Sequence, residues 1–142
     1  MNDKAKEIGL TDTNFCNPSG LDEESRPYGC YSTAYDFARI TAFSMKHDQI
    51  WKPLVIKEKE FHSADGKIVH RIANTDVLLG EMSNCLGGKT GFTYEAGRSL
   101  MMAAHHPYNP NRKVVGVLLD DSYRWADIRI LFDWAFGAYE WR

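Results

Sequence analysis

Leu86-Gly87-Gly88-Lys89-Thr90-Gly91-Phe92-Thr93 sets three glycines around one lysine and two hydroxyls, and continues through Tyr94-Glu95-Ala96-Gly97 into the apolar run from Ser99 to Ala104. Glycine inside a strand weakens packing, so glycines kept there mark backbone that a ligand or another chain approaches closely. The lysine adds a fixed cation and the threonine a short donor, a combination suited to a carboxylate or a phosphate. The stretch reads as the wall of a binding site.

Gly88-Lys89-Thr90 matches the end of a phosphate-binding P-loop, but that pattern needs a glycine five residues earlier, where Ser83 stands. The residues after Gly91 also read as strand and turn rather than as the helix a P-loop requires. Lys-Thr-Gly occurs in addition on a strand edge of serine penicillin-binding proteins and β-lactamases, beside the catalytic serine. A tripeptide recurs by chance, so the flanking sequence has to decide.

Downstream, a strand from Gly87 to Thr93, a turn, a strand from Arg98 to His105, a loop from Pro107 to Asn111 and a strand from Lys113 to Leu119 read as a three-stranded antiparallel meander. The last two strands are apolar enough to be buried. A helix from about Ser122 to Tyr139 puts Trp125, Ile128, Phe132, Ala135, Phe136 and Tyr139 on one stripe, which is expected to pack across that sheet. Asp120-Asp121 reads as charge complementing the dipole of this helix. Trp134 reads as a helix-face residue.

Upstream, Asn74 to Gly80 is a compact polar-to-apolar lead into the glycine-rich strand. Pro53 to Phe61 reads as a short apolar strand followed by alternating charge, with Ala64-Asp65-Gly66-Lys67 as a turn between two strand-like runs. Tyr31-Ser32-Thr33-Ala34 opens a helix capped by Ser32 or Thr33, Asp36 completing a capping box and Ala34, Phe37, Ala38, Thr41 and Met45 facing a core. Leu10 to Gly29 reads as an irregular surface loop with Asn17-Pro18-Ser19-Gly20 as its clearest turn, and Asn2 to Ile8 as helical turns stopped by Gly9.

The 142 residues are 44% hydrophobic and 25% charged, the composition of one ordinary domain. A formal charge of -2 without a dense basic run excludes nucleic acid as an expected partner. The polar start, Met1 to Glu7, is not a signal peptide, and no apolar stretch reaches membrane-spanning length. Cys16, Cys30 and Cys85 show no metal-ligand spacing and read as three unpaired thiols, although Cys16 and Cys30 flank a loop and are able to pair in an exported protein. His105-His106 reads as polar surface, so no metal or cofactor is expected.

Several segments then fall into a recognisable order: Met1-Asn2 with Lys4-Ala5, Thr13-Asn14-Phe15, Asn17-Pro18 with Gly20-Leu21, Tyr31 to Asp36, Asn74 with Leu78-Leu79, Gly88 to Thr93, and Ala96-Gly97-Arg98. This order resembles the D-alanyl-D-alanine carboxypeptidases, the low-molecular-mass penicillin-binding proteins of peptidase family S11, over nearly the whole chain. The resemblance implies an exported serine peptidase that trims the terminal D-Ala from peptidoglycan stem peptides through an acyl-enzyme. It also implies an α+β fold of the β-lactamase/transpeptidase type. Residues 1–142 would be a single partial domain, the second half of the catalytic domain.

Within that resemblance Lys89 would supply positive potential, Thr90 would hold the substrate carboxylate, Gly91 would let the peptide lie along the strand, and the backbone N–H of Phe92 would be an oxyanion donor. Thr93 completes the substrate-binding strand. Arg98 reaches the substrate carboxylate or makes a structural ion pair. The family's other two motifs are missing: no serine here has Lys three residues on, and none has Asn two residues on. The chain alone is therefore expected to be inactive, and to meet β-lactams only if the missing half is supplied. A fragment or mis-started reading frame, a non-catalytic peptidoglycan-peptide binding module and a half-enzyme complemented in trans all remain open. The strand from Lys113 to Leu119 would expose an apolar edge and invite self-association.

Overall fold

The computed structural model describes residues 1–22 and 29–140, so the part of the expected surface loop at 23–28 lies outside the described residues. Helix α1 spans Asn2–Glu7, with Gly9 beyond its end at φ +75°, the left-handed conformation that lets the chain leave a helix. An isolated bridge, Asn14 to Tyr31, closes the following loop at its base. Cys16 and Cys30 are joined there as a disulfide, and Cys85 is the free thiol. This corrects the expectation of three unpaired thiols: the bridge brings the two loop ends to a Cα separation of 5.3 Å, within disulfide range.

Helix α2 spans Ala34–Ser44 and is capped by Thr33, whose hydroxyl accepts from the Asp36 amide at 3.1 Å. Asp36 does not reach back to close the expected box. Its carboxylate, buried to 1% exposure, instead accepts from the Asp12 amide at 2.9 Å and the Thr13 hydroxyl at 2.8 Å, tying the first loop to α2. Of the expected core face, Thr41 is buried while Ala34 is exposed.

Helix α3, Asp48–Leu54, replaces the apolar strand expected from Pro53. Pro53 sits inside its last turn, and buried Trp51 anchors it by donating from Nε1 to the Ser44 hydroxyl at 3.0 Å. Tertiary anchoring thus overrides the strand-like composition. Strands β1 (Glu58–His62) and β2 (Val69–Ala73) form a separate two-stranded antiparallel hairpin turned at Gly66. A single 3-10 turn, Val77–Gly80, follows, capped by the Asp76 side chain on Leu78 N.

Strands β3 (Cys85–Thr93), β4 (Gly97–His106) and β5 (Asn109–Leu118) form the three-stranded antiparallel sheet in sequence order. The hairpin between β4 and β5 is tighter than expected, because β5 already begins at Asn109. Helix α4, Arg124–Ala138, packs across β4 and β5. Leu100, Met102 and Ala104, alternate residues on one face of β4, meet Leu78 from the 3-10 turn and Ile128 and Phe132 from α4 in the main core. Gly116 keeps α4 close, since a methyl there would lie 2.5 Å from Ile128 Cδ1 and 3.1 Å from the Phe132 ring. Tyr139, expected on the buried stripe, is exposed just past the helix end.

Candidate functional site

Among the described residues the sheet order gives the outer side of β3 no strand neighbour, and this is where the Lys-Thr-Gly segment lies. Register pairs Lys89 with Met101, Thr90 with Leu100, Gly91 with Ser99 and Phe92 with Arg98. Buried Gly87 and Gly88 anchor the strand from within, whereas Lys89, Gly91 and Phe92 are exposed at the rim. A peptide laid along this edge meets a strand whose outer side has no ladder partner among the described residues, as in strand addition to a sheet, with the Thr90 and Gly91 carbonyls held by the Lys89 and Arg124 side chains.

Each expected site residue has a defined place. Lys89 Nζ donates to the Thr90 carbonyl at 2.5 Å, folding the ammonium back along its own strand. The Thr90 hydroxyl lies 2.6 Å from the Thr75 hydroxyl, so two short donors converge at the rim. The Phe92 ring meets Tyr94 edge-on at 5.7 Å. Thr93 turns its hydroxyl into the hairpin, accepting from the Ala96 amide at 3.0 Å. Arg98, opposite Phe92, has an exposed side chain, and among the described residues it takes part in no ion pair.

Two contributors were not singled out by the sequence. Thr75 is brought to Thr90 by the capped 3-10 turn, in which the Asn74 side chain accepts from Asp76 N at 2.9 Å and donates to the Leu54 and Ile56 carbonyls. Arg124, the first residue of α4, donates from Nη1 to the Gly91 carbonyl at 2.9 Å and the Ser99 carbonyl at 3.1 Å, with its guanidinium 4.7 Å above the Trp125 ring. It spans the β3 and β4 backbones at the glycine of Lys-Thr-Gly. A helix-opening arginine carries no sequence signal for such a role.

Behind the strand lies Asp76, 4% exposed. Burial pushes its carboxyl above its ordinary value, against the pull of its backbone partners and of the Arg124 charge. Burial likewise raises the Cys85 thiol, and the Asp76 charge adds to that. The hairpin turn beyond β3 is held from both sides: the Glu95 amide donates to Asp22, and Gly97, at φ +65°, packs against Asp120. Among the described residues no cluster of three His, Cys, Asp or Glu side chains is placed to hold a metal.

An α+β unit with an open β3 edge bearing Lys-Thr-Gly, backed by one long helix, is the architecture of the penicillin-binding and DD-transpeptidase fold. An evolved penicillin-binding protein homologue from Mycobacterium tuberculosis superposes over 99% of this chain and 53% of its own, with TM-score 0.83 and 30% identity. The Streptomyces K15 DD-transpeptidase superposes over 96% of this chain and 52% of its own, with TM-score 0.81 and 25% identity. Penicillin-binding protein D2 of Listeria monocytogenes, in its cefotaxime-bound form, covers 93% of this chain and 51% of its own, at TM-score 0.74 and 26% identity.

The chain belongs to the D-alanyl-D-alanine carboxypeptidase family, peptidase S11, whose sequence profile matches residues 1–122. The carboxypeptidase DacF of Bacillus subtilis is 35% identical over 143 residues, a match covering 99% of this chain and 35% of that protein. DacB2 of Mycobacterium tuberculosis is 32% identical, covering 96% of this chain and 47% of its own length. The chain thus spans less than half the length of these curated relatives.

Proposed function

We propose that this chain supplies the substrate-binding edge of a serine-type D-alanyl-D-alanine carboxypeptidase acting on peptidoglycan stem peptides through an acyl-enzyme. The observation that carries the reading is the open outer side of β3, where exposed Lys89 and Gly91 flank a Thr90 hydroxyl already paired with Thr75. In this reading the two hydroxyls hold the terminal carboxylate of a D-Ala-D-Ala peptide. Lys89 then leaves the Thr90 carbonyl and turns its cation towards the bound anion. Gly91, with no side chain, lets the peptide backbone pair with the strand.

The Phe92 N–H donates to the oxygen that becomes negative as the scissile carbonyl is attacked, and loss of one such donor costs about 3 kcal/mol of barrier. Arg98 stands at the end of the edge, and Thr93 closes it by fixing the hairpin. The nucleophile and its base belong to Ser-x-x-Lys and the relay serine to Ser-x-Asn, neither of which this sequence contains. Residues 1–142 act in this reading as a single unit, the second half of a catalytic domain, and the substrate places that domain at the cell envelope. Among the described residues no helix is long and apolar enough to cross a membrane.

The test has two arms on the purified chain. Intact-mass spectrometry after incubation with benzylpenicillin is expected to show no adduct; a stoichiometric serine adduct would overturn the assignment of the nucleophile to absent motifs. Titration of the isotopically labelled chain with acetyl-D-alanyl-D-alanine is expected to move the amide signals of Lys89, Thr90, Gly91 and Phe92. Shifts confined to other surfaces would overturn the edge as the binding site.

A further inference from the structure

The sheet face that carries α4 changes from covered to open within two residues. Thr90 and Phe92 on β3 stand opposite Leu100 and Arg98 on β4, and positions two apart along a strand share a face. Leu100 is 1% exposed in the core under α4, whereas Phe92 is 59% exposed and Arg98 beside it is exposed. The helix begins at Arg124, whose Nη1 reaches the Gly91 and Ser99 carbonyls, and this marks the level at which its cover ends.

Three side chains occupy the open part. Phe92 and Arg98 are directly opposite, with Cβ atoms about 5 Å apart. Tyr94, 96% exposed at the turn, meets the Phe92 ring edge-on at 5.7 Å. Among the described residues no acid lies within ion-pair distance of Arg98. Nearby acids hold backbone instead: Asp22 accepts from the Glu95 amide at 3.4 Å and Asp121 from the Tyr123 amide at 2.7 Å. Two exposed rings in contact beside such a guanidinium suit a ligand with an aliphatic stem and an anionic end.

The direction of the substrate decides which part of it comes here. With the terminal carboxylate on the Thr90 and Thr75 hydroxyls and the scissile carbonyl on the Phe92 N–H, a peptide runs antiparallel to β3, and its upstream residues pass Phe92 towards Tyr94. We propose that Phe92, Tyr94 and Arg98 form a specificity subsite for the residue preceding D-Ala-D-Ala, and that it selects a side chain whose aliphatic stem ends in a carboxylate. The rings pack on the methylene groups, and the guanidinium pairs with the carboxylate and repels an ammonium in its place. The inference deepens the proposed function and rests on it for the direction of the peptide. A pair this exposed is screened by water, so the selection is severalfold rather than absolute.

The experiment titrates the isotopically labelled full chain with acetyl-D-alanyl-D-alanine and with its extensions by L-glutamyl, L-glutaminyl and L-lysyl residues between the acetyl group and the dipeptide. The glutamyl peptide is expected to bind about three- to fivefold tighter than the glutaminyl one and the lysyl peptide least tightly. The Tyr94 amide and the Arg98 Nε–H signals are expected to move with the tripeptides and not with the dipeptide. In Arg98→Gln, and in the wild type at about 0.5 M sodium chloride, the ratio of glutamyl to glutaminyl affinity should fall to about one, a salt response that a merely structural arginine would not produce. Tyr94→Ala, at a position that packs on little else, should lower the ratio of tripeptide to dipeptide affinity about threefold for the glutamyl and glutaminyl peptides alike.

Equal affinity for the three tripeptides, a preference for the lysyl peptide, or a glutamyl preference that persists in Arg98→Gln would overturn the subsite. In each of these cases peptides that still move the Lys89 to Phe92 amides leave the edge standing as the binding site. If none of the four peptides moves those amides, the functional reading fails and takes the subsite with it.

Discussion

Gly88→Ala and Gly91→Ala insert the same methyl group three residues apart on β3, and the structure assigns them opposite consequences. At position 88 the methyl meets the Met101 carbonyl at 2.7 Å and Asp76 Oδ2 at 2.9 Å. The first contact is about 0.7 Å inside ordinary van der Waals distance, and neither obstacle is a free side-chain end. Met101 belongs to the β4 backbone paired with β3, and Asp76 is clamped by Leu78 N. Relief requires the strands to part or the 3-10 turn to lift, which costs about 2–3 kcal/mol. For a chain of this size that lowers the urea midpoint by roughly 1 M and the melting temperature by about 8 °C. At position 91 the methyl meets Ser99 Cβ at 3.8 Å, an ordinary contact, so Gly91→Ala is expected to melt within about 0.5 kcal/mol of the wild type. Its effect appears instead in binding, since the methyl occupies the exposed edge a peptide must approach. Urea melts followed by circular dichroism, with acetyl-D-alanyl-D-alanine titrations of each folded variant, read both halves. A Gly88→Ala protein as stable as wild type, or a Gly91→Ala protein that loses stability while keeping its affinity, would refute the argument.

Replacing Cys16 and Cys30 together by serine opens the short loop the disulfide closes and is expected to cost about 3 kcal/mol, read as a fall in the urea midpoint. A thiol count on the unfolded chain should give one reactive group without reductant and three with it. Asp76 fixes a pH dependence whose sign follows from its raised pKa. Between the unfolded value near 3.8 and the higher folded value the native state binds the extra proton, so stability falls as pH rises through that window. The wild type should therefore lose stability relative to Asp76→Asn as pH rises from about 3.5 to 8, and the opposite slope in paired urea melts would refute the burial argument. Phe132→Ala removes a ring 1% exposed at the centre of the core and should cost about 3–5 kcal/mol, enough to leave the chain without a cooperative melt.

The meander and its helix were legible because their signals are local. Alternation across Ser99 to Ala104 and the stripe through Ile128, Phe132 and Ala135 each name the face that is buried. The reading failed where distant contacts decide. Pro53 looked like the start of a strand, and only Trp51 reaching Ser44 shows why a short helix survives there. Asp36 looked like half of a capping box, but its carboxylate is taken by Asp12 and Thr13, more than twenty residues earlier. The disulfide was missed because two cysteines flanking a loop do not declare whether the chain between them returns; the Asn14 to Tyr31 bridge brings it back. At the site, Lys89, Thr90 and Gly91 were visible as a contiguous motif. Thr75 and Arg124 were not, because 15 and 33 residues separate them from the atoms they touch.

The order of the sheet governs how the chain reaches this state. Strands β3, β4 and β5 pair only with their sequence neighbours, and α4 follows them directly, so the main core is assembled almost wholly within residues 78–135. Short loops close at little entropic cost, and this stretch is therefore expected to nucleate ahead of the N-terminal helices, whose docking must bridge separations of twenty residues or more. Strand β3, which carries the edge offered to a peptide, belongs to the part of the molecule expected to form first. Damage to α3 reaches that edge all the same, because Asn74, which donates to the Leu54 and Ile56 carbonyls, holds the turn that brings Thr75 to Thr90.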